Sequence, residues 1–466
     1  MATNNNDMTT SRTKRTAMLG KIVADQTTRY VGTKVRSVGR SEEKKASIAD
    51  QRQAEAVQAL VTALGGMRGA AMKIGQTLAS IDMGIWPENI RDEMQKTLNK
   101  LLDSAPTVSF DQMKRVIEQN LGGRISAIFA EFDTEPIAAA SIGQVYRAVL
   151  KDGREVAVKV QYPGIDKAIR ADLNNLSLVL RAARVLLPNA DLESLAGQIR
   201  ERVEDELDYA LEAQNQRKVA RLYRKHPFIR VPDVITEFCG PQVLVTEFIK
   251  ARRYEEVRHA DDATRTHVGE ILFRFYIGNL ITHGHFSVDP HPGNFLLGED
   301  GKVVFLDFGL YRHLPKDSYR DQVALLRGIV GKDPEALHQA MVQGGMASAD
   351  GPMDAKATHE FMQQLFWWLS EPGEVLFNSE VVRQVVVDTL SPSGPFFSMA
   401  RQQSIPADTA MVVRMLGMVV ATVGQMNVAL DWNSVIREML FGEPPATALG
   451  RIAAGETGVT TNELAS

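Results

Sequence analysis

The 466-residue chain has a single cysteine, Cys239, so no intramolecular disulfide can staple it, which fits a reducing compartment. It has no run of the ~20 apolar residues needed to span a bilayer. The most apolar C-terminal stretch, residues 415–424, lies between Arg414 and Gln425 and reads as a core helix. Neither sign of charge dominates. The 53 Lys and Arg against 57 Asp and Glu leave a net charge of −4, which gives no support to global nucleic-acid binding. The first ten positions are polar and Asn-rich where a secretory signal would be apolar, so the expected location is cytoplasmic. Hydrophobic content of 44% and charged content of 24% are globular values.

What is present is concentrated in residues 289–309. Asp289-Pro290-His291-Pro292-Gly293-Asn294 leads into an apolar run (295–297), a Gly-Glu-Asp-Gly turn, a second apolar run (303–306) and Asp307-Phe308-Gly309. An Asp and an Asn five apart, then strand, turn, strand and D-F-G, is a phosphotransferase arrangement. Its three polar side chains have separable work. Asp289 would orient or deprotonate an acceptor, and Asn294 and Asp307 would hold Mg²⁺ against nucleotide phosphates, since oxygen ligands suit that hard cation. D-F-G alone occurs by chance in many loops, so the joint spacing carries the reading. His283, His285, His291 and His313 lie nearby, but their spacing matches no common zinc pattern.

Such a site needs a strand lysine and a phosphate-covering loop upstream. Residues 145–150, Lys151-Asp152-Gly153-Arg154 and residues 155–160 read as strand, Asp-Gly turn and strand. With a period of two, Val156, Val158 and Val160 share one face and Ala157 and Lys159 the other. Ala157 then faces an adenine and Lys159 reaches the α/β-phosphates. In the preceding loop, Ala138, Ala140 and Gly143 stand where kinases carry three glycines, with Ser141 between them and Val145 after. Each Cβ disfavours positive φ and holds the backbone off a phosphate, so an altered nucleotide preference is expected.

A helical pattern over residues 191–225 supplies acids. On one helix Glu206 and Glu212 would project about 120° apart, Glu212 toward Lys159 and Glu206 toward another basic partner. Residues 49–80, also helical in pattern, carry Lys73-Ile74-Gly75-Gln76, with Lys73 and Gln76 on one face. Gly75 costs a helix ~1 kcal/mol relative to Ala, a cost commonly tied to close approach of another group. Ser109-x-x-Gln112 reads as a capping box. Met113, Val116, Ile117 and Leu121 then form one face ended by Gly122-Gly123. From Asp317 to about Leu440 the pattern is helical throughout, punctuated by Pro372, Pro392, Pro395 and Pro406. In the first forty residues Arg12, Lys14, Arg15, Lys21, Arg29, Lys34, Arg36 and Arg40 outnumber Asp7 and Asp25. A basic, weakly amphipathic segment of this kind suits either an anionic membrane surface or a solvated tail.

Lys73-x-Gly75-Gln76, the 138–145 loop, Val156-Ala157-Val158-Lys159, Glu206-x-Asp208, Glu212-Ala213-x-Asn215, the 289–294 run and Asp307-Phe308-Gly309 occur together and in order. As a set, over roughly residues 50–320, they resemble the UbiB (AarF-related) family of atypical protein-kinase-like proteins. The resemblance implies an α+β, two-lobed protein-kinase-like fold with a small β-rich N-lobe and a helical C-lobe. It also implies an N-terminal helical extension capping the cleft, with Lys73, Gly75 and Gln76 over the site, Lys73 pairing with Glu206, and Asp208 beside it. ATP or ADP with Mg²⁺ is the implied ligand. The implied activity is ATP hydrolysis or small-molecule phosphotransfer tied to ubiquinone or other isoprenoid-lipid metabolism, with an isoprenoid lipid or quinone precursor as partner. Ordinary phosphorylation of protein Ser or Thr is not implied.

The expected organisation is a basic tail (1–45), a helical extension (46–125), a kinase-like N-lobe with inserted helices (126–250), a helical C-lobe (251–445) and a flexible tail (446–466). The expected location is cytoplasmic, with the basic tail available for peripheral contact with the inner membrane surface. Two departures from the family pattern stand out. Ser287-Val288-Asp289 replaces the usual His-Ala-Asp, which loosens loop packing without removing a reacting group. No long activation loop or Ala-Pro-Glu follows Asp307. Two other readings compete. An aminoglycoside-phosphotransferase-like small-molecule kinase shares the D-x-H-P-G-N run, but the Lys73–Gln76 segment and the alanine loop argue against it. A nucleotide-sensing pseudokinase or lipid-binding chaperone would keep the fold without turnover, and intact Asp289, Asn294 and Asp307 argue against that.

Overall fold

The structure, a computed structural model, describes residues 108–140, 142–171, 173, 197, 200, 203–349, 351, 353–382 and 405–455. The basic segment 1–45, the Lys73, Gly75 and Gln76 cap and Ser141 lie outside the described residues. Two compact units divide the chain, residues 1–147 with 159–208 and residues 148–158 with 209–466.

In the first unit, α1 (Phe110–Leu121) buries Met113, Val116 and Ile117 and ends at Gly122, whose φ of 66° needs a residue without Cβ strain. The capping box does not form. Ser109's main-chain carbonyl accepts from the Gln112 N–H at 3.0 Å, so the donor meant for the Ser109 hydroxyl is already used. A short helix α2 (Ile125–Ile128) leads into β1 (Phe129–Phe132), β2 (Ala138–Ala140), β3 (Gly143–Leu150) and β4 (Glu155–Gln161). β1 and β2 flank β3, and Phe110, Phe132 and Tyr146 pack ring to ring at 5.5–5.7 Å.

The second unit takes in the end of β3 from residue 148 and the β3–β4 turn, where Leu150 N–H donates to Arg154 C=O and Gly153 takes a φ of 88°. β4 alternates as expected, with Val156, Val158 and Val160 fully buried and Ala157 and Lys159 half-buried. The single helix expected over 191–225 is interrupted. Residues 203–206 are helical, Leu207 and Asp208 break the helix, and α3 (Tyr209–Leu222) starts anew, so the 120° relation between Glu206 and Glu212 does not apply.

Beyond α3 come β5 (Ile229–Arg230), β6 (Val243–Glu247) beside β4, β7 (Ala251–Arg253), α4 (Tyr254–Arg258) and α5 (Asp262–His283). α5 is the core of this unit. Every residue from Val268 to Ile281 is buried, including the polar Glu270, Arg274 and Asn279. Asp261 caps its start and Gly284, at φ 66°, its end. Then follow β8 (His285–Ser287), β9 (Phe295–Gly298), β10 (Val303–Phe305) and β11 (Tyr311–His313).

The remainder is α6 (Lys316–Gly331), α7 (Pro334–Gln343), α8 (Ala355–Leu365), α9 (Trp367–Ser370), β12 (Val375–Phe377), α10 (Ala407–Gly424), β13 (Val428–Leu430), α11 (Trp432–Phe441) and α12 (Ala448–Ala453). The uniformly helical reading of 317–440 is therefore corrected, because β12 and β13 pair antiparallel. The apolar run at 415–424 lies in α10, whose length and composition would also suit a membrane span; in this structure Val412, Met415, Leu416, Val419 and Val423 are buried.

The flexible tail expected from 446 is also corrected as far as residue 455. Thr447 caps α12, and Leu449 is buried. The Thr447 hydroxyl donates to Glu270 at 2.5 Å and accepts from Arg274 at 3.1 Å. Arg274 in turn grips Glu438 with two bonds of 3.0 and 2.8 Å.

Candidate active site

The hairpin of β9 and β10 explains why the 289–309 spacing works. The strands pair antiparallel with Phe295 opposite Phe305, and Leu306 N–H continues the ladder to Asn294 C=O at 2.9 Å. A hairpin returns the chain to where it left, so Asn294 and Asp307 emerge at the same end. The loop before it is pinned locally. His291 N–H donates to Asp289 C=O at 2.8 Å, and the His291 ring accepts from Gly293 N–H at 3.0 Å. Asn294 Nδ2 donates to Asp289 C=O at 3.0 Å, which joins two of the three predicted polar residues directly. Asp307 Oδ1 accepts from Gly309 N–H at 2.9 Å. Asp289, Asn294 and Asp307 are all partly exposed, above a floor of buried Val288, Phe295 and Phe308.

The outer frame is the pair β8 and β11, with Ser287 opposite Tyr311 and His285 opposite His313. Val288 N–H extends this pairing to Leu310 C=O at 3.0 Å, so the segment before Asp289 and the segment after D-F-G are tied together. Ser287 is buried and its hydroxyl accepts weakly from Asp289 N–H at 3.4 Å. His285 is also buried, with Nδ1 2.5 Å from the Tyr311 hydroxyl and its ring against those of His283 and His313. Burial, with His283, His313 and Lys218 nearby, pushes the His285 imidazole down to about 4, so it is neutral near pH 7. Among the described residues no group of three His, Cys, Asp or Glu side chains is arranged to hold a metal.

Three further side chains meet this centre. Glu212 is 2% exposed, and a Cβ on Gly309 would lie 3.7 Å from its Oε2, so this carboxylate stands beside the D-F-G glycine. Asn215, one turn on, donates from Nδ2 to Phe308 C=O at 3.2 Å. Tyr276 of α5 is fully enclosed, and burial together with the charges of Asp289 and Asp307 pushes its phenol well above its usual value. Tyr276 had no sequence signal beyond a hydroxyl in an otherwise apolar helix.

The phosphate-loop residues form a strand turn. Ala138 pairs with Val145 and Ala140 with Gly143. Among described non-glycine residues only Lys332 and Asn427 have positive φ, so the Cβ atoms of Ala138 and Ala140 carry no torsional penalty. Gly143 is needed for a different reason. A Cβ there would sit 2.1 Å from Val160 O and 2.9 Å from Val160 C, against the β4 backbone.

The residues present fit Mg²⁺ with a nucleotide. Asn294 uses its amide N–H on Asp289 C=O, which leaves the amide oxygen as its ligand atom, and one amide oxygen with one carboxylate suits an ion that shares its shell with phosphates.

The ABC1 atypical kinase-like domain matches residues 100–341. The chain is similar to AarF domain-containing protein kinase 1 of Xenopus laevis, 31% identical over 315 residues, covering 66% of this chain and 59% of that protein. It is similar to the mitochondrial atypical kinase COQ8 of Saccharomyces cerevisiae, 30% identical over 294 residues, covering 63% and 58%. In structure it resembles the complex of Rv3197 with erythromycin from Mycobacterium tuberculosis, with a TM-score of 0.62 and 30% identity, covering 86% of this chain and all of that one. The chain spans between 38% and 59% of the length of the first curated relatives it matches.

Proposed function

Because the chain belongs to the ABC1 atypical kinase-like family, the UbiB/AarF group, we propose that it binds ATP or ADP with Mg²⁺ and hydrolyses ATP or passes its γ-phosphoryl group to a small molecule. We place that activity in ubiquinone or other isoprenoid-lipid metabolism. The observation that carries the reading is the closure of Asn294 onto Asp289 at the end of the hairpin that delivers Asp307.

In this reading Asp289 orients the attacking oxygen and takes its proton. Asn294 and Asp307 hold Mg²⁺, which neutralises charge on the phosphates. Lys159, oriented by Glu212, contacts the α/β-phosphates. Ala157 lies against the base, and Ala138, Ala140, Ser141, Gly143 and Val145 cover the phosphates. Lys73, Gly75 and Gln76, with Glu206 and Asp208, restrict the cleft to small acceptors. The basic residues of segment 1–45 bring the protein to an anionic membrane surface, where an isoprenoid or quinone precursor is met.

The test is ATP hydrolysis by the purified full chain with Mg²⁺, alone and with anionic liposomes or a phenolic quinone-precursor mimic. Turnover should rise with the additions, and Asp307→Asn should lower it at least about a hundredfold. Equal turnover in the Asp307→Asn protein would sink the site assignment.

A further inference from the structure

A second charged site lies on the other side of α3 from the D-F-G contacts. Glu212 and Arg221 are nine residues apart, half a turn in projection at about 100° per residue, so they occupy opposite faces of the helix. On the outer face Arg217 and Arg221 are four residues apart, and Arg224 follows in the turn just past the helix end. With Arg154 of the β3–β4 turn they line an open cavity of about 860 Å³, whose other walls are Gly153, Glu155, residues 233–237 and Glu247 with Phe248. That volume is in the range of small-molecule sites, roughly 300–1,000 Å³.

The four guanidinium groups are not equivalent. Arg154 is paired with Asp152 at 2.6 Å and Glu237 at 2.8 Å, and Arg224 stands 3.8 Å from Asp233. The lining carboxylate of Glu247 is held by Arg230 at 2.5 Å. Among the described residues Arg217, by contrast, donates from its side chain only to the neutral Thr236 hydroxyl at 3.1 Å. Arg221 likewise donates only to the Arg217 main-chain carbonyl at 3.2 Å. Glu237, Asp233 and Glu247 are thus engaged by other arginines, Glu155 stands on the cavity wall as a further carboxylate, and among the described residues Arg217 and Arg221, one helical turn apart, form no ion pair. Guanidinium forks in this state match the oxygens of a phosphate, which accept two parallel bonds from each.

We propose that Arg217 and Arg221 form a binding site for a phosphate-bearing ligand, distinct from the phosphotransfer centre. The site stands on its own residues and does not depend on the activity proposed above. Its occupant would touch the helix whose inner face carries Glu212 and Asn215, so binding would bear on the D-F-G segment through one rigid element.

The test uses the full chain and two probes, inorganic pyrophosphate without Mg²⁺ by calorimetry, and phosphatidylcholine vesicles with or without phosphatidic acid by sedimentation. Arg217→Gln/Arg221→Gln should weaken binding at least about tenfold, the order of one charged contact. Lys159→Met, which removes the lysine assigned to the nucleotide, should leave it unchanged. Arginine-dependent binding of pyrophosphate assigns a soluble phosphate, and arginine-dependent binding of phosphatidate vesicles alone assigns a lipid headgroup; both support the site. No binding of either probe, or binding that survives the double substitution, overturns it. So does pyrophosphate binding that Lys159→Met reduces and the arginine substitutions do not. Arg221→Gln alone, which breaks only a bond to a helix carbonyl, keeps the comparison available if the double variant does not fold.

Discussion

Gly143→Ala separates two accounts of one glycine. As part of a phosphate loop, Gly143 would tolerate a methyl group at some cost in nucleotide affinity and none in folding. The structure says otherwise. Its φ is not in the left-handed region, so torsion does not decide the matter. Space does, because the added Cβ would lie 2.1 Å from Val160 O, where real Cβ contacts essentially never fall below 3.0 Å. The obstructing atoms are main chain, so no side chain can rotate away, and the start of β3 must lift off β4 by about 1 Å. That lift also stretches the bond from Tyr162 N–H to Ile142 C=O, now 2.9 Å, next to a fully buried Val160.

Overpacking costs about 1–3 kcal/mol, and a buried polar pair left unmade a similar about 1–3 kcal/mol. Together they give about 2–6 kcal/mol. Hydrogen exchange measured on the 156–163 segment should therefore quicken by between about thirtyfold and about twenty-thousandfold, at about 1.4 kcal/mol per decade. Less than threefold acceleration, with nucleotide affinity lowered instead, would refute the packing account and restore the phosphate-loop one.

Arg274→Met should lower stability by about 3–5 kcal/mol, because it leaves the Glu270 and Glu438 carboxylates buried without their guanidinium; an unchanged melting temperature would contradict this. His285 and His226 are both held neutral by burial, at about 4 instead of the ordinary 6.5. Since the unfolded chain binds those protons more readily, their contribution is fully present above about pH 6.5 and is lost as pH falls toward 4. Melting temperature should fall across that window, and less so in His285→Gln, while parallel curves for the two proteins would argue against it. Asn215→Leu removes the donor to Phe308 C=O, and ATP turnover should drop at least about tenfold with the Mg²⁺ requirement shifted more than the KM for ATP. A Mg²⁺ titration identical to wild type would reduce Asn215 to a packing residue.

The parts of this protein that sequence determined by itself are those set by local spacing. Alternation put Val156, Val158 and Val160 in the core and Ala157 and Lys159 on the opposite, half-buried face, because strand side chains alternate whatever surrounds them. The D-x4-N, strand, turn, strand, D-F-G order was legible for the same reason, since an antiparallel hairpin brings its two ends together without help from the rest of the chain. The break at Leu207 and Asp208 was not legible, nor the pairing of β12 with β13 across fifty residues, because neither follows from helix periodicity. The ordered end at α12 was missed because what holds it is Glu270 and Arg274, more than 170 residues away.

Tertiary structure alone brought Tyr276 and Asn215 to the D-F-G segment, set Gly143 against a backbone and left Arg217 and Arg221 without an ion pair among the described residues. Each of these depends on which distant groups arrive within 3 or 4 Å, and hydrogen bonding, overlap and ion pairing all act at that range. A motif names the residue types that chemistry needs; the packed chain decides which of them are satisfied.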